Sequence, residues 1–165
     1  MCIRDRGGHH EVVAALLAAR ANVDQANNDG TTPLFIAAQG RHHEAVAALI
    51  AARASVDQPN NDGATPLLMA AQGGHHDIVT ALIAADATVD LANNDGLTPL
   101  LQAATNGHHE VVAALIAARA TVDQANNDGA TPLLVAAQIG HHEIVAALIA
   151  AVSYTHLTLP TIYSV

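Results

Sequence analysis

Lysine and tryptophan are absent from this 165-residue chain, cysteine and phenylalanine occur once each, and tyrosine twice. Each scarcity narrows what the protein can be. Six arginines, no lysine and fifteen acidic residues give a formal net charge of -9. That balance argues against nucleic acid as a partner, because a phosphate-binding surface needs clustered cations to release counterions, and Arg20, Arg53 and Arg119 stand far apart. The longest apolar runs, such as Val12 to Ala19, fall far short of the roughly 20 residues that span a bilayer, so no membrane span is expected. One thiol, Cys2, leaves nothing to pair in a disulfide framework and no cysteine nucleophile in the body of the chain. With so few aromatics and so much alanine, the chain cannot fill a globular core with large side chains. Stacked helices with alanine seams can still close-pack.

What the sequence has instead is a period. The stretch Asn60-Asn61-Asp62-Gly63-Ala64-Thr65-Pro66-Leu67 has near copies beginning at Asn27, Asn93 and Asn126, each 33 residues from the next. In full the unit reads Gly63-Ala64-Thr65-Pro66-Leu67-Leu68-Met69-Ala70-Ala71-Gln72-Gly73-Gly74-His75-His76-Asp77-Ile78-Val79, then Ala81-Leu82-Ile83-Ala84-Ala85, closing at Val89-Asp90. A Thr-Pro-Leu helix start, an Ala-Ala pair, a Gly-His turn and a Leu-rich second helix at this period resemble the ankyrin repeat. The resemblance covers residues 7 to 151 and implies an all-α, ankyrin-type helix-turn-helix solenoid with projecting β-hairpin fingers. Stability in such an array is a sum of local and nearest-neighbour terms.

The register divides the chain into a half unit 7–29, full units 30–62, 63–95 and 96–128, and a truncated unit 129–151. Residues 1–6 and 152–165 match no part of the unit and look like translated sequencing-adaptor read-through. At Val152 the register calls for the residue that is Arg53, Asp86 or Arg119 in the siblings, so the tail is expected not to extend the second helix. Gene sequence beyond both ends would show whether the array is a fragment of a longer one.

Within each unit Thr32, Thr65, Thr98 or Thr131 is placed to cap a helix, with proline at the first helical position, where its missing N–H costs nothing. Leu67, Ala70 and Ala71 then fall on one stripe at i, i+3 and i+4, and Val79, Leu82 and Ile83 form the stripe of the second helix. The half unit offers Val13, Leu16 and Leu17. An acid follows each His-His pair (Glu11, Glu44, Asp77, Glu110, Glu143), where it complements the positive end of a helix dipole. Asn-Asn-Asp-Gly supplies the turn-forming residues of the finger. Two departures from the family pattern stand out. Phe35, Leu68, Leu101 and Leu134 replace the histidine that usually follows Thr-Pro-Leu, making the core greasier. Arg20, Arg53, Asp86 and Arg119 replace the glycine after the second helix, at about 1–2 kcal/mol each if that residue stays left-handed; the alternative is a remodelled cap.

Ten of the eleven histidines sit in pairs at 9–10, 42–43, 75–76, 108–109 and 141–142, which raises a metal site. Spacing argues against one. Two ligands of a zinc lie about 2.0–2.1 Å from it, whereas stacked helices sit roughly 8–10 Å apart, and adjacent helical residues diverge by about 100°. The resemblance makes the first histidine of each pair a structural turn residue tying neighbouring units together, and the second is expected to face solvent. Identical polar residues in every copy likewise argue against an active site, which needs one unit to differ. No catalytic, metal or cofactor-binding residue is expected, and no cofactor or small-molecule substrate. The acidic fingers, Asp57 and Asp62 with their copies, could attract a basic partner or Ca²⁺, or be simple solvated turns.

The function implied by the resemblance is that of a non-catalytic protein-protein interaction scaffold, its protein partner held on the concave face of fingers and first helices. Two other readings stay open: a regulatory or targeting arm of a larger enzyme or channel, and a metal- or pH-responsive histidine ladder. The array has no Asn-x-Ser/Thr acceptor and no cysteine, in keeping with an intracellular, cytoplasmic protein. Comparing copies points to the unit 96–128. Leu91 stands where Gln25, Gln58 and Gln124 stand, and Leu97 where Thr31, Ala64 and Ala130 do. Thr105-Asn106 replaces Gln39-Gly40 and Gln72-Gly73, and Ile139 follows Gln138. Leu91, Leu97, Thr105, Asn106 and Ile139 are therefore the candidate partner-binding residues: an apolar patch with a polar edge, set against neutral drift among duplicated units.

Overall fold

The structure, a computed structural model, describes residues 22–157. Among these residues there are eight α-helices and no strand. They are α1 (Pro33–Gln39), α2 (His43–Ala51), α3 (Pro66–Gln72), α4 (His76–Ala84), α5 (Pro99–Thr105), α6 (His109–Ala117), α7 (Pro132–Ile139) and α8 (His142–Leu157). The odd-numbered helices begin where the Thr-Pro pairs stand. Each threonine is extended, and its Oγ1 accepts from the amide three residues on, Phe35, Leu68, Leu101 or Leu134, at 3.1–3.3 Å. Proline follows at the first helical position. Thr32, Thr65 and Thr98 are buried, so each cap also satisfies a hydroxyl that has left water.

Each pair of helices forms one unit, α1 on α2 and so on, and each pair stacks on the next, odd helix against odd and even against even. Leu67, Ala70 and Ala71 of α3 are wholly buried, as are Val79 and Leu82 of α4, while Ile83 is partly so. These stripes and their copies join into one apolar cluster running from Leu34 to Leu148. The alanines explain the continuity: with only a methyl at the seam, neighbouring helices approach closely without leaving voids. The helix of the half unit, with Val13, Leu16 and Leu17, lies outside the described residues, as do residues 1–6, including Cys2, and residues 158–165.

Two sequence expectations meet a different structure, the fingers and the tail, and one open alternative, the cap, is decided. The fingers do not pair as strands: Asn60 Oδ1 accepts from the amides of Asp62 and Ala64 at 3.1 and 2.9 Å, and the Asn27, Asn93 and Asn126 side chains do the same in their own turns. Two backbone bonds cross the turn, from Asn60 N to the Ala64 carbonyl at 2.9 Å and from Gly63 N to the Asn60 carbonyl at 3.0 Å. The asparagine side chain takes the amide bonds a ladder would need, so the finger is a tight loop. The cap after the second helix is not remodelled. Arg53, Asp86 and Arg119 hold φ of 64°, 63° and 65°, and Arg41, where other units have glycine, holds 60°. Residues after Ala151 do extend the last helix, which reaches Leu157. Val152 occupies the register of the left-handed residues, and a β-branched side chain resists that conformation, so the helix runs on.

Candidate functional site

Fingers and odd-numbered helices together enclose a groove of about 590 Å³. Its floor comes from α1 and α3, with Gln102 of α5 at one end. Phe35 and Leu68 are buried there against Ala64 and the partly buried Met69, in an apolar cluster separate from the main core. Two of the four Phe/Leu residues at this register, Phe35 and Leu68, pack under the groove; Leu101 is buried too, but Leu134 is 55% exposed, so the greasier core expected from the sequence does not extend to the last unit. Ile36, half exposed at 50%, and Met69 present apolar surface to it. One unit further, the same register position is Gln102.

One wall carries Gln39 and Gln72 at the ends of α1 and α3; the opposite wall carries the fingers, with Asp29, Asp62 and Asp95 among the lining residues. All three aspartates are exposed. Asn60 Nδ2 donates to Asp62 at 3.4 Å and Asn93 Nδ2 to Asp95 at 3.5 Å, long bonds that leave most of each carboxylate's acceptor capacity open. Among the described residues no arginine or histidine lines the groove. Thr31 Oγ1, on a lining residue, is buried without a hydrogen-bond partner.

The other acidic series is differently employed. Asp57 accepts from the amide and hydroxyl of Thr88 at 3.0 and 2.6 Å, Asp24 from Ser55 at 2.8 Å for each, and Asp90 from Thr121 at 2.9 and 2.7 Å. These carboxylates bind one unit to the next. The histidines divide as well. Nε2 of His75, His108 and His141 lies 3.2, 2.9 and 3.3 Å from the carbonyls of Gln39, Gln72 and Thr105 in the preceding unit. Of the second histidines, His43, His109 and His142 are exposed and His76 is half-buried. His43 meets Glu44 at 2.9 Å, and His76 and His109 meet Asp77 and Glu143 at 3.7 Å. Among the described residues no three histidine, aspartate, glutamate or cysteine side chains converge, and no helix is long and apolar enough to cross a membrane.

The five residues singled out from the sequence do not line this groove. Leu91 (37% exposed) and Ile139 (51%) are open to solvent and Leu97 is half-buried. Thr105 Oγ1 turns back onto the Leu101 carbonyl at 2.8 Å. Asn106 Nδ2 donates to the Gln72 carbonyl at 3.0 Å, the same oxygen that His108 reaches. Leu97 does occupy the register of Thr31 and Ala64, and Thr105 that of Gln39 and Gln72, all of which line the groove one or two units earlier. Sequence reasoning missed Ile36, Met69 and Gln102, though the signal was available: with Val135 they form a register position that differs in every copy.

A family model described as ankyrin repeats (3 copies) matches residues 1–93 and again 85–158. No curated protein matches the chain.

Proposed function

Because the chain belongs to the ankyrin repeat family, whose members serve generally as protein-protein interaction modules, we propose that it is a non-catalytic scaffold holding a segment of a partner protein in the groove of fingers and odd-numbered helices. The observation that carries this is the contrast within the lining. The finger residues Asp29, Asp62 and Asp95 repeat, whereas Ile36, Met69 and Gln102 change from unit to unit. A repeated wall with a varied floor is suited to holding one particular sequence along its length. The acidic lining disfavours phosphate-rich ligands, so the partner is protein rather than nucleic acid. In this reading units 30–62, 63–95 and 96–128 are the binding blocks, and the surface continues over Leu97 and Thr105, with Leu91, Asn106 and Ile139 as outer contacts.

Photo-crosslinking tests it. A photoreactive residue at position 69, in the floor, is expected to form an adduct with the partner, and one at exposed Thr80 of α4 is not. With the partner identified and purified, Ile36→Ala combined with Met69→Ala is expected to lower affinity at least tenfold. Adducts only from position 80, or affinity unchanged by the double variant, would overturn the assignment.

A further inference from the structure

We infer that the groove's occupant is a basic segment in polyproline II conformation, with arginine or lysine at every third position facing Asp29, Asp62 and Asp95. The inference rests on the groove reading above and names the chemistry of its partner.

Charge comes first. Among the described residues the groove is lined by three carboxylates, one per finger, and by no cation. The parallel series Asp24, Asp57 and Asp90 is already bound to hydroxyls and amides of the next unit. Asp29, Asp62 and Asp95 are not: none is in an ion pair among the described residues, and all are exposed. A cationic side chain entering the groove therefore meets acceptors with capacity to spare, beside an apolar floor that strengthens the interaction by displacing water.

Spacing sets the conformation. The helices of the floor, α1, α3 and α5, pack directly on one another, and packed helices lie roughly 8–10 Å apart, so equivalent residues recur at about that step. A polyproline II segment rises 3.1 Å per residue with three residues per turn, bringing one face round every ~9.3 Å. A β-strand returns a face every two residues, about 6.6–6.8 Å, and falls out of step after one unit. Of the two extended conformations, the one with the three-residue period keeps successive cations opposite successive aspartates.

The floor then adds direction. Ile36 and Met69 offer apolar surface under the first two aspartates and Gln102 a polar one under the third. The residues between the cations are thus apolar at the end over units 30–62 and 63–95, and polar or amide-bearing over unit 96–128.

The test uses the 165-residue chain and two fluorescent twelve-residue peptides of identical composition. One has four Arg-Leu-Pro triplets; the other has its four arginines contiguous. Net charge and composition are the same for both, and the denser charge of contiguous arginines favours the control, so a preference for the triplet peptide reports the period. By fluorescence anisotropy at physiological salt, the triplet peptide is expected to bind at least tenfold tighter. The combined variant D29N/D62N/D95N, checked by circular dichroism for unchanged helix content, is expected to remove that preference. Equal affinities for the two peptides, or a preference that survives in the variant, would overturn the inference. The natural partner separates the two levels. If I36A/M69A weakens its binding and D29N/D62N/D95N does not, the groove stands and the cationic ladder falls. If neither set weakens it, both fall.

Discussion

Replacing Arg53, Asp86 and Arg119 with glycine is expected to stabilise the protein, an uncommon outcome for three simultaneous substitutions in structured positions. Each residue ends an even-numbered helix at φ near 64°, where the Cβ of an L-residue crowds the following carbonyl at about 1–2 kcal/mol. Glycine removes that crowding but returns about 0.5–1 kcal/mol as extra freedom of the unfolded chain. The net gain is about 0–1.5 kcal/mol per site, centred on about 0.5–1 kcal/mol and smallest at Asp86 because aspartate tolerates the left-handed region better than arginine. Little else changes. The three side chains are exposed, and the backbone bonds of the cap, Arg53 N to Ile50 O, Asp86 N to Ile83 O and Arg119 N to Ile116 O at 2.9–3.0 Å, use only main-chain atoms. The sites lie in separate units and share no partner, so their gains add to about 1.5–3 kcal/mol. For a chain of this size that raises Tm by about 3–12 °C. Thermal and urea unfolding followed by circular dichroism give the answer, with the three single variants for comparison. A triple variant no more stable than the parent would refute the strain assignment.

The bonds between units give further expectations. His75→Ala, which strips the Gln39 carbonyl of its imidazole donor, should cost about 1 kcal/mol, whereas His108→Ala should cost less, because Asn106 Nδ2 still donates to Gln72; adding Asn106→Ala should restore the full loss in urea denaturation. Asp57→Ala removes the acceptor of the Thr88 amide and hydroxyl, a loss of about 1–2 kcal/mol for a partly exposed charged acceptor, seen as faster exchange of the Thr88 amide; Asp57→Asn, keeping one acceptor oxygen, should lose less. Leu97→Ala and Ile139→Gly test the outer contacts: a loss of about 2 kcal/mol in partner affinity marks a hot spot, and a change below about 0.5 kcal/mol from both variants removes the patch from the binding surface.

The parts of the fold that repeat were readable because repetition is itself a measurement. Four copies of Thr-Pro located the caps that the structure shows at Phe35, Leu68, Leu101 and Leu134, and Ala70-Ala71 located the seam. What escaped is what depends on neighbours in space. Asp57 and Asp62 look alike as acids of one polar segment, yet one is held by Thr88 and the other lines the groove. That separation depends on where the next unit's threonine falls, 31 residues on. The strand pairing expected of the fingers failed for a local reason, since Asn60 Oδ1 outcompetes a ladder for the Asp62 and Ala64 amides. Leu91, Leu97, Thr105, Asn106 and Ile139 also differ from their copies but do not line the groove, whereas Ile36, Met69 and Gln102 share the one register position that the groove floor exposes.

The stack also explains where variation can accumulate. Beside the backbone bonds from the amides of Asn61, Asn94 and Asn127 to the carbonyls of Asp29, Asp62 and Asp95, three ladders of side-chain bonds join successive units: histidine to carbonyl along the helix turns, aspartate to serine or threonine beyond the even helices, and asparagine between fingers. In the last, the Asn61, Asn94 and Asn127 side chains donate to the carbonyls of Asn28, Asn61 and Asn94 at 2.9–3.2 Å. The last ladder also fixes a glycine, since a Cβ on Gly63, already at φ +77°, would stand 2.7 Å from Asn94 Oδ1. A change at a ladder position breaks a bond in its own unit and leaves a donor or acceptor bare in the next, so the cost falls on two units at once. The side chains of Ile36, Met69 and Gln102 belong to none of these ladders. A substitution there alters the floor of the groove while the stack holds its register. In the proposed reading, those are the positions at which partner preference changes with the stacking bonds intact, at least cost at exposed Ile36 and at more cost at Met69, which packs on Phe35, Ala64 and Leu68, and these copies differ there.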